Sequence, residues 1–211
     1  MFNLHSLLFD FDGVLCCDRF YRATLEKAYP KVYIWIQENI FGDSKELVEQ
    51  WMRGKISSAE INHIIAKNTA INDALLEKLF VKSVRLMKID QELRNYIAGL
   101  KKRVKKIGLI TDNMDVFSKI TVKNHSLNKL FDVIINSADY GYLKKDQKGK
   151  LFNIVLAKMG EEINNTLLVD DSLRVTNLYQ DKGGKTFLYQ NFHDFRWFLN
   201  NALQGPYITT S

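Results

Sequence analysis

The sequence predicts an α/β fold, a doubly wound and mainly parallel sheet carrying an inserted α-helical lobe. Three observations lead there. From about residue 89 onward, short apolar runs alternate with helical patterns. One further run, Ser6 to Phe11, stands alone near the start, and the stretch between shows helical periodicity with no strand. Strands alternating with helices at short spacing read as parallel strands covered on both faces.

The elements follow in order. The first strand, Ser6 to Phe11, is stopped by Asp12-Gly13. Tyr33, Ile34, Ile36, Ile40 and Phe41 then fit one helix face, and Leu47, Trp51 and Met52 a second. Ser57-Ser58-Ala59-Glu60 is a capping box that opens a helix over Ile61 to Lys67. Another helix is predicted from Asn72 to Leu86, with Leu75, Leu79 and Leu86 in phase. Beyond Asp90 the predicted order is helix Glu92 to Lys102, strand Val104 to Ile110, helix Asp115 to His125 and strand Phe131 to Ile135. Helix Lys150 to Met159, strand Thr166 to Val169, helix Leu173 to Tyr179, strand Lys185 to Tyr189 and helix His193 to Leu203 follow. Residues 1–16 with 89–211 thus form the core, and 17–88 a helical lobe. Trp35, Trp51 and Trp197 are expected in core or interlobe packing.

Composition bounds the function classes. Of 211 residues, 46% are hydrophobic and 26% charged, as in an ordinary soluble globular protein. No uncharged apolar run reaches the roughly 18 residues of a membrane span, and no basic leader with an apolar core opens the chain. Cys16 and Cys17 are neighbours, which disfavours a structural disulfide and fits a reduced, cytoplasmic chain. The net charge of +6 raises the question of nucleic acid. Its densest cluster, Lys101-Lys102-Arg103 with Lys105-Lys106, sits where a helix gives way to a strand and has no aromatic residues interleaved. That pattern fits a helix-dipole complement and a protected strand edge, so neither nucleic acid nor membrane is expected as a partner. The four histidines show no ligand spacing, and oligomeric state is not readable.

Chemistry collects at the strand ends, where open α/β sheets bind ligands. The first strand ends in Asp10-Phe11-Asp12-Gly13, another in Thr111-Asp112-Asn113, and a later one in Asp170-Asp171-Ser172, while Lys144-Lys145 follows the Phe131 to Ile135 strand. Alone, the first group fits a turn and the third a helix cap. Together, Asp10, Asp12, Asp170 and Asp171 would repel one another unless protonated or shared by a cation. Magnesium is the hard, oxygen-seeking ion that sits beside substrate phosphates. A carboxylate can attack phosphorus to form an acyl phosphate. A second carboxylate two residues on points to the same side of an extended chain, where it can protonate the leaving oxygen and then activate water. Thr111 offers a hydroxyl and helix-terminal N–H groups to phosphoryl oxygens, and a lysine neutralises their charge.

These residues, in this order, resemble the haloacid dehalogenase superfamily, and most closely its phosphatases with a helical cap inserted after the first strand. Phe9-Asp10-Phe11-Asp12-Gly13-Val14-Leu15 is similar to the family's first motif, and Leu109-Ile110-Thr111-Asp112-Asn113 to the second. Asn136-Ser137 through Gly141-Tyr142-Leu143-Lys144 resembles the third, and Leu168-Val169-Asp170-Asp171-Ser172 the fourth. Gly54-Lys55-Ile56-Ser57 is loosely similar to the cap of sugar-phosphate phosphatases in the group.

The resemblance implies that Asp10 is nucleophile and metal ligand, and that Asp12 is general acid/base and offers its backbone carbonyl to Mg2+. Thr111 binds the phosphoryl group with Asn113 as helper, Lys144 neutralises the phosphate, and Asp171, with Asp170 beside it, completes the metal site. Relatives that cleave carbon–halogen bonds lack an aspartate at the position of Asp12, because a leaving halide needs no proton. The third motif departs from the family: Lys145 stands where a proline usually follows the lysine, and 147–150 lengthen the loop. Lys145 therefore remains the alternative to Lys144. Arg19, Arg22, Arg53 and Lys55 are candidates for contacting the substrate or plain surface charges. The implied function is magnesium-dependent hydrolysis of a small phosphorylated metabolite, a sugar phosphate or nucleotide. A phosphomutase or a non-catalytic binding member stands as the alternative.

Overall fold

The computed structural model describes residues 4–204. Residues 1–3 and 205–211, assigned to the core from sequence, and the first residues of the segment read as leaderless lie outside them. Among the described residues five strands form one sheet: β1 (Ser6–Phe9), β2 (Lys106–Thr111), β3 (Val133–Asn136), β4 (Thr166–Asp170) and β5 (Lys185–Leu188). Their order is β3-β2-β1-β4-β5 and every pairing is parallel. From β1 to β2 the chain passes α1 (Arg22–Leu25), α2 (Pro30–Ile36), α3 (Lys45–Met52), α4 (Ser58–Thr69), α5 (Asp73–Leu86) and α6 (Gln91–Leu100). The short α7 (Val122–Asn124), α8 (Leu127–Leu130) and α9 (Ser137–Tyr140) precede α10 (Lys150–Met159), α11 (Leu173–Asp181) and α12 (Phe192–Gln204).

Period-two alternation between two covered faces explains why β1 is buried throughout, with Leu7, Leu8 and Phe9 apolar in succession. Leu7 and Phe9 join the cluster formed with Leu93 and Ile97 of α6 and Phe195 and Leu199 of α12. Leu8 points the other way, to Leu151 and Val155 of α10 and Tyr179 of α11. The chain builds outward from β1 to β3 and then returns to place β4 on the other side of β1. Connections leave β1 and β4 in opposite directions, which opens a crevice beyond their carboxyl ends.

Helices α1–α5 enclose a separate apolar cluster centred on Tyr21, Trp51 and Phe80. It extends onto Met114 and Val116 of the sheet-bearing part, so the lobe is packed on the core. The capping box forms as predicted, with Glu60 N–H on Ser57 Oγ and Ser57 N–H on Glu60. Where the chain leaves and re-enters the core the two segments are tied, by Lys88 N–H to Asp18 Oδ2 (2.7 Å) and Asp90 N–H to Leu15 O (2.8 Å).

Several expectations shift. β1 stops at Phe9, because the Phe11 carbonyl accepts the Leu15 and Cys16 N–H groups and turns the chain. β2 starts at Lys106 instead of Val104, since the Arg103 and Val104 N–H groups close the end of α6 on the Leu100 carbonyl. In α5 the buried stripe is Leu76, Phe80 and Val84, while Leu75 and Leu86 are exposed. Phe80 decides this orientation by packing on Tyr21 and Trp51. Trp51 is fully buried, but Trp197 is 68% exposed, because α12 turns Phe195 and Leu199 inward instead.

Candidate active site

The turn after β1 presents two carboxylates to one cavity, which Asp10, Asp12, Gly13 and Asp171 line. The Asp10 N–H donates to the Val169 carbonyl (2.9 Å) and the Phe11 N–H to Asp10 Oδ1 (2.7 Å), so both the backbone and one carboxylate oxygen are held. Lys144 is buried beneath. Its ammonium donates to Asp10 Oδ2 (2.6 Å) and Asp170 Oδ2 (2.7 Å). Lys145, the alternative on sequence, points away and pairs with Glu49 of α3. Asp112 lies between Thr111 and Asn113, and its Oδ1 accepts the Lys144 N–H (2.8 Å), fixing the backbone of the lysine as well.

Gly13 makes the cluster sterically possible. It adopts φ +75°, and a Cβ there would lie 2.0 Å from Asp171 Oδ2. Glycine thus permits both the left-handed turn and the close approach of the carboxylate. Carboxylate oxygens of Asp10, Asp170 and Asp171 lie within 4.8 Å of one another. Fully ionised, these three carboxylates beside the one ammonium of Lys144 would leave two negative charges uncompensated. An all-oxygen donor set with that charge fits a hard divalent cation.

The carboxyl of Asp12 is not part of this cluster. It turns to Asn113, whose Nδ2 donates to Asp12 Oδ2 (2.8 Å). Asn113 Oδ1 accepts the Met114 N–H (2.8 Å), so the side chain of Asn113 is occupied at both ends and orients Asp12. The helix-terminal N–H groups expected to face a phosphoryl group are engaged within the protein at Asn113 and Met114, the former on Ser137 Oγ (2.9 Å). Thr111 keeps its hydroxyl. Oγ1 is buried with no hydrogen-bond partner among the described residues.

The charges are tuned by burial. Burial lifts Asp10 well above the usual carboxylate range, with Lys144 opposing it. Asp12 is pushed up to about 7 by burial, again against Lys144. Burial likewise raises Asp112 and Asp171. For Lys144 burial opposes the charge, but Asp10 and Asp170 outweigh it and raise its pKa, so the side chain stays an ammonium. A divalent ion at the carboxylates would pull their values down again.

Residues 5–174 match the family model described as haloacid dehalogenase-like hydrolase. This chain belongs to the haloacid dehalogenase-like hydrolases. No curated protein sequence matches it. Among solved structures, a predicted HAD-like family hydrolase from Porphyromonas gingivalis superposes with a TM-score of 0.76 at 17% identity, covering 96% of this chain and 99% of its own. A HAD family enzyme from Bacteroides thetaiotaomicron, in complex with magnesium and inorganic phosphate, gives 0.67 at 17% identity, over 91% and 98% of the two chains. The L-2-haloacid dehalogenase from Xanthobacter autotrophicus gives 0.66 at 15%, over 96% and 85%. At these identities the likeness establishes a shared fold.

In this hydrolase the cavity measures about 450 Å³. Beyond the carboxylates it is walled by lobe residues Phe20, Phe41, Val48 and Met52 and by Met87 and Met114. Of the four cationic candidates only Arg19 lines it. Arg22 pairs with Glu26 on the surface, Lys55 is exposed, and Arg53 is bound to Asp146. Sequence reasoning missed Asp112 and Ser137 as supports, although both stand inside the quoted motifs. Among the described residues no helix is long and apolar enough to cross a membrane.

Proposed function

We propose that this hydrolase is a magnesium-dependent phosphatase acting on a small phosphorylated metabolite through an aspartyl-phosphate at Asp10. The observation that carries this reading is the pair of carboxylates in one cavity, Asp10 held by Lys144 and Asp12 held by Asn113. Two differently anchored carboxylates have two different jobs. Asp10 forms the bond to phosphorus while the bond from phosphorus to the leaving oxygen breaks, and Asp12 delivers its proton to that oxygen. Asp12 then takes a proton from water, the water oxygen bonds to phosphorus, the Asp10–phosphorus bond breaks, and inorganic phosphate departs.

Lys144 neutralises phosphoryl oxygens, Thr111 contributes its unpartnered hydroxyl to them, and Asn113 keeps Asp12 aimed. Asp10, Asp170, Asp171 and the backbone carbonyl of Asp12 would hold Mg2+, which supplies positive charge against the phosphate. The magnesium and phosphate bound by the Bacteroides thetaiotaomicron relative support the same assignment. Dehalogenases also share the fold, but a carboxyl aimed as Asp12 is has no task when the leaving group is a halide. A cavity of about 450 Å³ suits a compact substrate. Nucleic acid and membrane have no place in this proposal.

The purified chain should release phosphate from an aryl phosphate in the presence of Mg2+, and Asp10→Asn should abolish the release. An inactive wild type across a broad panel of phosphate monoesters, or an Asp10→Asn variant as active as wild type, would sink the proposal.

A further inference from the structure

Immediately after Lys144 the core loop meets the helical lobe through four charged side chains. Arg53, the residue that caps the C-terminal end of α3, grips Asp146 with two bonds, Nε to Oδ2 (2.7 Å) and Nη2 to Oδ1 (2.9 Å). Its third nitrogen, Nη1, reaches Glu49 Oε2 (3.0 Å), and Glu49 in turn pairs with Lys145. Asp146 also closes its own loop, because Oδ2 accepts the Leu143 N–H (3.0 Å). One carboxylate oxygen thus joins the lobe arginine to the backbone just before Lys144.

The neighbours of Arg53 are seated too. The Met52 carbonyl accepts Ser137 Oγ–H (2.6 Å), and Gly54 lies so close to the core that a Cβ there would stand 2.3 Å from the Ala138 carbonyl oxygen. Met52-Arg53-Gly54 is therefore a continuous docking segment. On the core side, the residues following Asp146 are strained: Gln147 and Lys148 have φ of 47° and 54°, ahead of Gly149 at 79°. Such backbone persists where the surroundings hold it. Here the holding group at its start is Asp146. No proline stands in 143–148 to fix the backbone of this loop.

We propose that Arg53 is a positioning residue: acting through Asp146, it supplies from the lobe the rigidity that the loop lacks. Seating of the lobe and placement of Lys144 against Asp10 and Asp170 are then one event. This rests on the phosphatase reading for its catalytic consequence but not for its structural one, and the test separates the two.

Aryl phosphate turnover is measured with Mg2+ for wild type, Arg53→Ala, Asp146→Asn and the double variant. Each single change should lower kcat about tenfold or more while KM moves little, because misplacing one catalytic group acts on the reacting geometry. The double variant should be no worse than the worse single, since both break one bidentate contact. Arg53→Lys should recover only part of the loss, keeping the charge without the fork. Amide hydrogen exchange is followed in parallel, and Arg53→Ala should speed exchange at 143–146 while leaving β1 and β4 protected. Additive losses in kcat, or unchanged exchange at 143–146, would overturn the proposal. An inactive wild type would defeat the phosphatase reading alone, and exchange would then decide for or against the positioning role.

Discussion

Lys144 and Lys145 are sequence neighbours in two unlike charge networks. The Lys144 side chain is 3% exposed and sits between two buried carboxylates. The Lys145 side chain is 27% exposed and belongs to the interlobe set with Glu49, Arg53 and Asp146. Burying three ionic groups together costs desolvation energy that their attraction recovers only in part, so such a cluster is poor evidence of stabilisation. Partly exposed pairs cost less to form and contribute little, about 0–1 kcal/mol each. The comparison separates two uses of charge. On the proposed reading the buried set serves chemistry at some expense to the fold, whereas the outer set fixes geometry between lobes.

Breaking the inner network should have the largest effect. Lys144→Met is expected to reduce phosphate release by about a hundred- to a thousandfold, the scale of losing one preorganised charge at a transition state. It also leaves Asp10 and Asp170 facing each other unpaired, a loss of about 3–5 kcal/mol where no cation intervenes. Thermal unfolding with and without Mg2+ checks this: the variant should melt lower without the ion and regain part of the loss when it is added. A variant as stable as wild type under both conditions would show that the inner network is not under charge strain.

Gly13→Ala probes the same network by sterics. The new methyl group would meet Asp171 at 2.0 Å and require a left-handed alanine. Displacing one proposed ligand is expected to raise the Mg2+ concentration for half-maximal activity roughly tenfold or more, read from a magnesium titration. Unchanged magnesium dependence would remove Asp171 from the site.

The smallest effect tests the outer network through pH. Hydrogen bonding from Arg53 holds Asp146 below the usual carboxylate range, and Lys145 does the same for Glu49. A carboxylate depressed in the folded state stabilises above its unfolded pKa, roughly 4, and loses that contribution as pH falls through the folded value. The stability gap between wild type and Arg53→Ala should therefore persist at pH 7 and shrink below about pH 4, by no more than about 1 kcal/mol per pair. Unfolding curves across that range would show it, and a gap independent of pH would mean that Arg53 stabilises by packing alone.

Legibility in the sequence followed locality. The five strands, the capping box at Ser57 and the helical insertion could be read because each rests on residues close together in the chain. Asp10, Asp12, Thr111, Asp170 and Asp171 could be singled out as candidates because each stands at the end of a strand or in the turn that follows it. The orientation of α5 could not, since Leu75, Leu79 and Leu86 suit a helix face as well as Leu76, Phe80 and Val84 do. Only packing against Tyr21 and Trp51 separates them. Trp197 departs from its core expectation for the same reason: size marks a residue as a core candidate, but neighbours decide whether it is covered.

By itself, then, the amino-acid sequence determined the α/β class, the helical insertion and the inventory of carboxylates, because periodicity and turn chemistry act over a few residues. Only the tertiary structure decided which lysine reaches those carboxylates. Lys144 and Lys145 are chemically identical, and their difference comes from groups 32 to 134 residues away: Asp112 holding one backbone, Asp10 receiving one ammonium, and Glu49 drawing the other aside. Likewise, no local pattern distinguishes Arg53 from a surface arginine until α3 meets the loop that carries Asp146. Charge finds its partner across space, and that pairing exists only once the chain has folded.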